Sequence, residues 1–565
     1  MIRKDIDTLY ALSIGRRFWF GQFVLFTLRT LSQVLRYPFV ISLRDLIDAI
    51  MNSSMSFNGI ALLTAKVSML LIAIFVLTMS AEIYGTVLYA RIFTSVWVDL
   101  ASKISRIPES SRLSAGEYLG RFSDASSIPA ITLLPTSLSH VIGFIVIAYT
   151  LYVLSPYLSI LILAALVPLS VIVMWFFGSK AIVRREEARR LYDVVMNDFK
   201  NLMDGLTSFK ALGKTDYLIS KFSKSVSLYF NKYKLAVKGF IMAQRFVSLI
   251  WWFSPIISII VGLLMVPQGL ITIPSLIAFA VSINSILPPL ESLIQSIRNW
   301  MEAKPSARRV RLLMELPEEE SGRLPLPRKI ERIEYRGVTF RYGRGGDYIL
   351  KDINFTIRRG ECIAIVGGSG VGKTTLVRML PRLLDPEEGT ILINGIDIRK
   401  FKLSKLRERI VYLDSHAYVL NATVRENIAL DGKFSDGEIW EVLSKCHVDF
   451  ISSLDYVISE WGRNLSEGQR QRLALARALL RGPEVLILDE ALSGVDSKVE
   501  GYVISNLKRE IPILIIVSHR LSAITLADRI LVLSGGRIVC EGRHDELLNS
   551  CQEYRDLIAR QIIKA

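Results

Sequence analysis

CIAIVGGSGVGKTTLVRML, residues 362–380, is the stretch from which the rest of this 565-residue chain is read. It opens on an uninterrupted apolar run, the pattern of a strand buried on both faces. It then turns through Gly367, Ser369, Gly370 and Gly372 and enters a helical pattern at Lys373, Thr374 and Thr375. Strand, glycine-rich loop and helix, in that order, is the context that the pattern G-x-x-x-x-G-K-[ST] requires. The glycines let backbone N–H groups turn inward around phosphate oxygens. Lys373 then neutralises the β- and γ-phosphates, and the Thr374 hydroxyl ligates Mg2+.

Further apolar runs follow: RIVYL (409–413), VLILDE (485–490) and ILIIVSH (513–519). Their alternation with helical stretches predicts an α/β domain of about 240 residues with a parallel sheet. VLILDE ends in two carboxylates. Asp489 is placed to hold Mg2+ directly or through water, and Glu490 to polarise an attacking water. His519 ends the next run and is in reach of a γ-phosphate.

Upstream the composition changes. LLIAIFVLTM (70–79), VIGFIVIAYTLYVL (141–154) and LSILILAALVPLSVIVMWFF (158–177) are long apolar stretches. A membrane-crossing helix needs about 20 mostly apolar residues. Six spans fit, near 18–45, 60–93, 128–154, 157–178, 239–266 and 272–297. Segment 179–238 holds 13 Lys and Arg and segment 94–127 holds four, whereas the connections near 46–58, 155–156 and 267–271 hold none. The positive-inside rule then puts both chain ends in the cytoplasm. The two basic segments are amphipathic, so their helices are expected to run on beyond the bilayer. PEEESGRLPLPRK (317–329) is a linker of Pro, Gly and charge. The predicted domains are therefore a helical membrane domain at 1–316, a linker at 317–329 and the α/β domain at 330–565.

Whole-chain composition agrees. Hydrophobic residues are 51% and charged residues 22%, with a mean hydropathy of +0.37. That excludes a disordered chain and argues against an ordinary soluble enzyme. The net charge of +16, from 69 Lys+Arg against 53 Asp+Glu, follows from topology, so no nucleic-acid partner is expected. The four cysteines, Cys362, Cys446, Cys540 and Cys551, are too few for a secreted disulfide framework and are expected to be reduced thiols.

NLSEGQRQRLALARALL (464–480), roughly 20 residues before the carboxylate pair, resembles the signature region of ATP-binding-cassette (ABC) proteins. The resemblance runs in family order from Tyr342 to His519. It implies ATP as the nucleotide, Tyr342 of VTFRYG (338–343) stacked on adenine, and Ser466, Gly468 and Gln469 at a helix N-terminus facing the γ-phosphate of a nucleotide on the opposite subunit. It also implies that Asp496 of SGVD (493–496) crosses the dimer. The first half resembles the six-helix exporter type: LASKISRIPESSRLSAGEYLGRFSDAS (100–126) and LMDGLTSFKALG (202–213) are similar to its two inner coupling loops, and AKPSARRV (303–310) to the end of its sixth helix.

Three positions depart from the family pattern. Asp414 stands where a Mg2+-facing glutamine is usual; its carboxylate is a methylene shorter but is still expected to face Mg2+. Glu467 replaces the commonest signature glycine. That position either points away from phosphate or marks the competent half of a heterodimer whose partner lacks the catalytic carboxylate. Trp461 stands where exporters often have arginine.

The resemblance implies an exporter-type half-transporter. Its membrane half carries six spans and its α/β half is a P-loop cassette. It is an ATPase, with Glu490 and His519 as its catalytic residues, paired with a second half-transporter chain as homodimer or heterodimer. It would sit in the plasma membrane and export or flip a lipid, drug, peptide or other hydrophobic cargo. Import through the same membrane fold, or an ATP-gated channel or regulatory subunit, is the alternative. The length leaves no room for a peptidase domain ahead of the membrane part, which weakens a leader-cleaving role.

Overall fold

The structure is a computed structural model and describes residues 6–52, 55–343, 345–430, 432 and 434–562. Residues 53 and 54, inside the expected connection near 46–58, lie outside the described residues. The chain divides into two compact units: Met1–Ser102 with Ala115–Glu315, and Lys103–Ser114 with Leu316–Ala565.

The first unit is helical. Among the described residues, five segments are long and apolar enough to cross a bilayer: Phe57–Ile104, Gly116–Leu154, Pro156–Phe177, Thr215–Met265 and Ile273–Met314. The helix Phe57–Ile104 has 48 residues, hence about 72 Å at 1.5 Å per residue, more than twice a hydrocarbon core of about 30 Å. Pro156–Ala211 (56 residues) and Thr215–Met265 (51 residues) are longer still. They pair as a hairpin closed at Gly213, whose φ of +64° suits the residue that ends a helix.

The span expected at 18–45 is instead two 16-residue helices, Trp19–Val34 and Arg36–Met51. Pro38 has no N–H to give the Val34 carbonyl, which explains the break. The last span is interrupted in the same way by a 3₁₀ turn at Ile283–Ile286 just before Pro288 and Pro289. The Ser285 carbonyl, left without a donor by Pro289, accepts from Arg36 Nη1 at 3.4 Å. This cationic side chain inside a span therefore has a structural partner. Pro168 and Pro255 lie within continuous helices. Trp251 is fully buried and donates to Ser170 Oγ at 3.1 Å, whereas Trp252 is exposed.

The second unit holds two sheets. β1 (Arg332–Phe340), β2 (Leu350–Arg358), β4 (Glu388–Ile393) and β5 (Ile396–Asp397) form an antiparallel sheet in the order β2-β1-β4-β5. β3 (Cys362–Gly367), β6 (Ile410–Asp414), β7 (Val485–Asp489), β8 (Ile513–Val517), β9 (Arg529–Ser534) and β10 (Arg537–Gly542) form the other, in the order β10-β9-β3-β8-β7-β6. The strands from β9 to β6 run parallel, and β10 closes the edge as an antiparallel hairpin. Every residue of β3, β7 and β8 is buried, as their unbroken apolar runs require. All four parallel runs expected from sequence are present; the antiparallel sheet was not foreseen.

One expectation is overturned. Cys540 on β10 and Cys551, between helices His544–Ser550 and Gln552–Ile562, form a disulfide with Cα atoms 6.2 Å apart. The C-terminal helices fold back against β9 and β10, which brings the two thiols together. Cys362 and Cys446 are free and buried.

Candidate nucleotide-binding site

The site gathers where β3, β7 and β8 end. In a parallel sheet the carboxyl ends of adjacent strands open onto one crevice, so motifs that end different strands meet there. The loop after β3 is fixed by its glycines. Gly370 and Gly372 have φ of +79° and +102°, values that other residues rarely adopt. A Cβ on Gly372 would lie 2.8 Å from Ile349 Cγ2, and one on Gly367 would press into the Leu533 carbonyl. Lys373 begins the following helix and is 6% exposed. Its ammonium donates to the carbonyls of Gly367 (2.9 Å) and Gly368 (2.8 Å), so it arches over the loop where phosphate oxygens would lie. Burial lowers its pKa, and Glu490 and Asp489 oppose that shift.

Thr374 Oγ1 donates to Asp489 Oδ1 at 3.2 Å. These are two hard oxygen donors side by side, the chemistry Mg2+ prefers, and the residues fit that ion. Tyr412 donates to the other Asp489 oxygen at 2.9 Å. Asp489 is 4% exposed. Burial raises its pKa, and the hydrogen bonds from Tyr412 and Thr374 pull it back.

Glu490 has φ +53°, in the left-handed region, a strain of order ~1 kcal/mol for a residue with a Cβ. The turn is held by its N–H donating to the Val517 carbonyl at 2.9 Å. This conformation swings the carboxylate away from the line of β7 and onto His519, with His519 Nε2 2.9 Å from Glu490 Oε1. Burial and the Lys373 charge hold the imidazole below its ordinary pKa, against the opposing pull of Glu490. A cavity of about 210 Å³ bordered by Glu490, Ser493, His519 and Arg520 lies beside the carboxylate, ample for a water.

Tyr342 is half-exposed, packs edge-on against Phe340 and shares a hydrogen bond with Thr375 Oγ1 at 3.2 Å. Ser369 and Gly370 are exposed on the loop. Asp414 ends β6 in register with Asp489. Its Oδ1 accepts from the His416 amide at 3.0 Å, and Arg378 Nη2 lies 3.9 Å from its other oxygen.

The signature segment forms a second cluster. Ser466 caps the helix Glu467–Leu479: its Oγ accepts from the Gln469 amide, and its own amide donates to Gln469 Oε1, a reciprocal capping box. Gly468 abuts the backbone of Gly494, so no side chain fits between the signature and the SGVD loop. Asp496 caps the helix Ser497–Glu510 through the Lys498 amide at 2.9 Å. Among the described residues, none of the hydrogen bonds of Ser466, Gln469 or Asp496 reaches Lys373, Thr374, Asp489 or Glu490. Trp461 is exposed, adopts φ +60° and packs edge-on against Tyr418.

Three residues of the site escaped the sequence reading. Gln471 is 1% exposed and ties the signature helix to both neighbouring loops. It donates to Ser415 O and Ser493 Oγ (3.2 Å each) and accepts from the Gly494 amide (2.8 Å). The signal was its place on the stripe shared with Ala474, Leu475 and Ala478, where a buried amide needs partners. Tyr412 and Arg378 support Asp489. The hydroxyl of Tyr412 within an otherwise aliphatic strand was the available hint.

Residues 350–493 match the protein-family model described as ABC transporter. The chain is 33% identical over 434 residues to "Leukotoxin translocation ATP-binding protein LktB" of Mannheimia haemolytica, covering 74% of this chain and 60% of that protein. The proteins of the same name from Bibersteinia trehalosi and from Pasteurella haemolytica-like sp. (strain 5943B) match equally, at 33% identity over 434 residues with the same coverage. The chain thus spans 60% of the length of the curated relatives it matches.

Proposed function

We propose that this chain, whose residues 350–493 match the ABC transporter family model, is one half of a dimeric, ATP-driven exporter. The observation that carries the reading is the convergence of Lys373, Thr374, Asp489, Glu490 and His519 at the ends of three adjacent strands, in a chain whose other half is built of membrane-length apolar helices. The loop amides and Lys373 bind the triphosphate, and Tyr342 stacks on the base. Thr374 and Asp489 would hold Mg2+, which would supply neutralisation of the phosphate charge. Glu490 orients the attacking water and takes its proton, and His519 fixes the Glu490 carboxylate and reaches the γ-phosphate.

Ser466, Gly468, Gln469 and Asp496 form a surface for the nucleotide held by a second half-transporter, as homodimer or heterodimer. Nucleotide binding then favours the paired state of the cassettes and hydrolysis the separated one. A two-state element biased by a γ-phosphate is able to drive alternating exposure of a membrane cavity. The basic segments 94–127 and 179–238 support cytoplasmic termini, in the plasma membrane. The relatives' names speak of leukotoxin translocation, which favours a polypeptide cargo moved outward.

The test is ATP-dependent movement of a panel of peptides, lipids and hydrophobic dyes in proteoliposomes carrying the full chain. Peptide-stimulated hydrolysis with movement away from the cassette side is expected. Movement toward that side, or turnover without movement of any panel member, would overturn the exporter reading.

A further inference from the structure

The Asp489 carboxylate is held by more than the residues that touch nucleotide or metal. Tyr412 is a bridge: it donates to Asp489 Oδ2 at 2.9 Å and accepts from Arg378 Nε at 3.0 Å. The Arg378 guanidinium also lies 5.7 Å from the Tyr412 ring centroid, within cation–π range. Its far end donates to Glu109 Oε1 at 3.1 Å. Glu109 belongs to the segment Lys103–Ser114, which directly continues the long apolar helix Phe57–Ile104 and groups with the cassette unit. That segment is fastened at a second place. Lys103 pairs with Glu318 at 2.9 Å, and the Glu319 amide donates to the Arg106 carbonyl at 2.8 Å.

We infer that Glu109, Arg378 and Tyr412 form a strut that positions the Asp489 carboxylate, so that the loop after the first long helix sets how well the site holds its divalent cation. A carboxylate on a short side chain is free to rotate about its last bond. Thr374 engages Oδ1 and Tyr412 pins Oδ2, which leaves Oδ1 turned toward the Thr374 hydroxyl. Arg378 orders the Tyr412 hydroxyl: by occupying its lone pair, it leaves the proton for Asp489. Glu109 and Asp414 in turn flank the guanidinium with negative charge. Tyr412, Arg378 and Glu109 are positioning residues, since they act only through Asp489. The inference rests on the nucleotide-site reading proposed above and goes beyond it by naming what presets the metal ligand.

The experiment uses the full chain in lipid nanodiscs carrying Glu490→Gln to stop turnover, and titrates a fluorescent N-methylanthraniloyl ATP analogue with Mg2+ or with EDTA. Tyr412→Phe keeps the ring and removes both hydrogen bonds of the hydroxyl, the one given to Asp489 and the one accepted from Arg378. It is expected to weaken binding about 10-fold in Mg2+ and to leave binding in EDTA unchanged. Glu109→Ala is expected to weaken Mg2+-dependent binding about 3-fold, and to add nothing once Tyr412→Phe is present, since both act through one path. Arg378→Lys, which keeps the charge and loses the fork, should match Tyr412→Phe and serves if that variant does not fold. Equal losses in Mg2+ and EDTA, or additive losses in the Glu109→Ala/Tyr412→Phe pair, would overturn the strut while leaving the nucleotide site standing. A parent protein that binds no analogue under either condition would overturn both.

Discussion

Glu490→Gln separates the chemistry of the site from its binding more cleanly than any other change. The amide has the shape of the carboxylate and keeps an oxygen to accept from His519, which lies 2.9 Å away. It introduces no new backbone strain, because residue 490 stays a non-glycine at φ +53°. What it loses is proton-accepting power and one negative charge. General-base catalysis contributes about 10²–10⁴-fold, equivalent to about 2.7–5.4 kcal/mol of barrier at 1.36 kcal/mol per tenfold. Turnover is therefore expected to fall at least about 100-fold. Affinity for the triphosphate should stay equal or rise, since an anion beside a polyanion has been neutralised. Phosphate release and nucleotide binding, measured on the same preparation, give both numbers. Turnover within about threefold of the unmodified protein would refute the assignment of Glu490 as the base; a parallel loss of binding would show that the carboxylate supports structure instead.

The same substitution removes the larger of the two charges, Glu490 and Asp489, that oppose the lowering of the His519 pKa by burial and Lys373. An NMR titration of labelled histidine should show His519 moving further below its ordinary 6.5 in Glu490→Gln; an upward shift contradicts the electrostatics. With its folded value depressed, the unfolded chain binds the extra proton first, so His519 should cost stability as pH falls below about 6.5. This contribution vanishes in His519→Gln, as thermal melts across that range would reveal. Gly468→Ala places a methyl against the backbone of Gly494, where nothing flexible can yield. A loss of about 1–3 kcal/mol in chemical denaturation is expected, and an unchanged midpoint would mean that the signature and the SGVD loop are not packed as described. Peptide mapping without reductant should recover Cys540 linked to Cys551, and reduction should speed hydrogen exchange in the helix Gln552–Ile562; protection that ignores reductant would show that the bond does not anchor it.

The parts of the site that were legible in sequence share one property: each is a local motif ending a buried strand. Lys373 and Thr374 follow β3, Asp489 and Glu490 end β7, and His519 lies just beyond β8. Parallel pairing then brings them together without further information. What was not legible depends on tertiary contact. Nothing in the spacing of Glu109 and Arg378 says that they meet across 269 positions, nor that the segment Lys103–Ser114 groups with the cassette. The pairing of Cys540 with Cys551 required knowing that the C-terminal helices fold back onto β10. The first apolar stretch was read as one span because hydropathy averages over Pro38, whereas the helix does not. The motif order places Asp414 beside Asp489, where β6 and β7 end in register; that its carboxylate also accepts from the His416 amide, and that Tyr412 reaches Asp489, depends on the turn after β6 and is not visible in the spacing.

The central claim is that this chain hydrolyses ATP through Lys373 and its loop while embedded in lipid. Its most direct test is phosphate release from Mg2+–ATP by the full chain in nanodiscs, alone and with candidate partner chains, compared with Lys373→Ala. The account predicts steady release that EDTA abolishes and that Lys373→Ala reduces at least about 100-fold, as the loss of the preorganised cation over the phosphates requires. Release that persists unchanged in Lys373→Ala, or no release under any pairing, would contradict it.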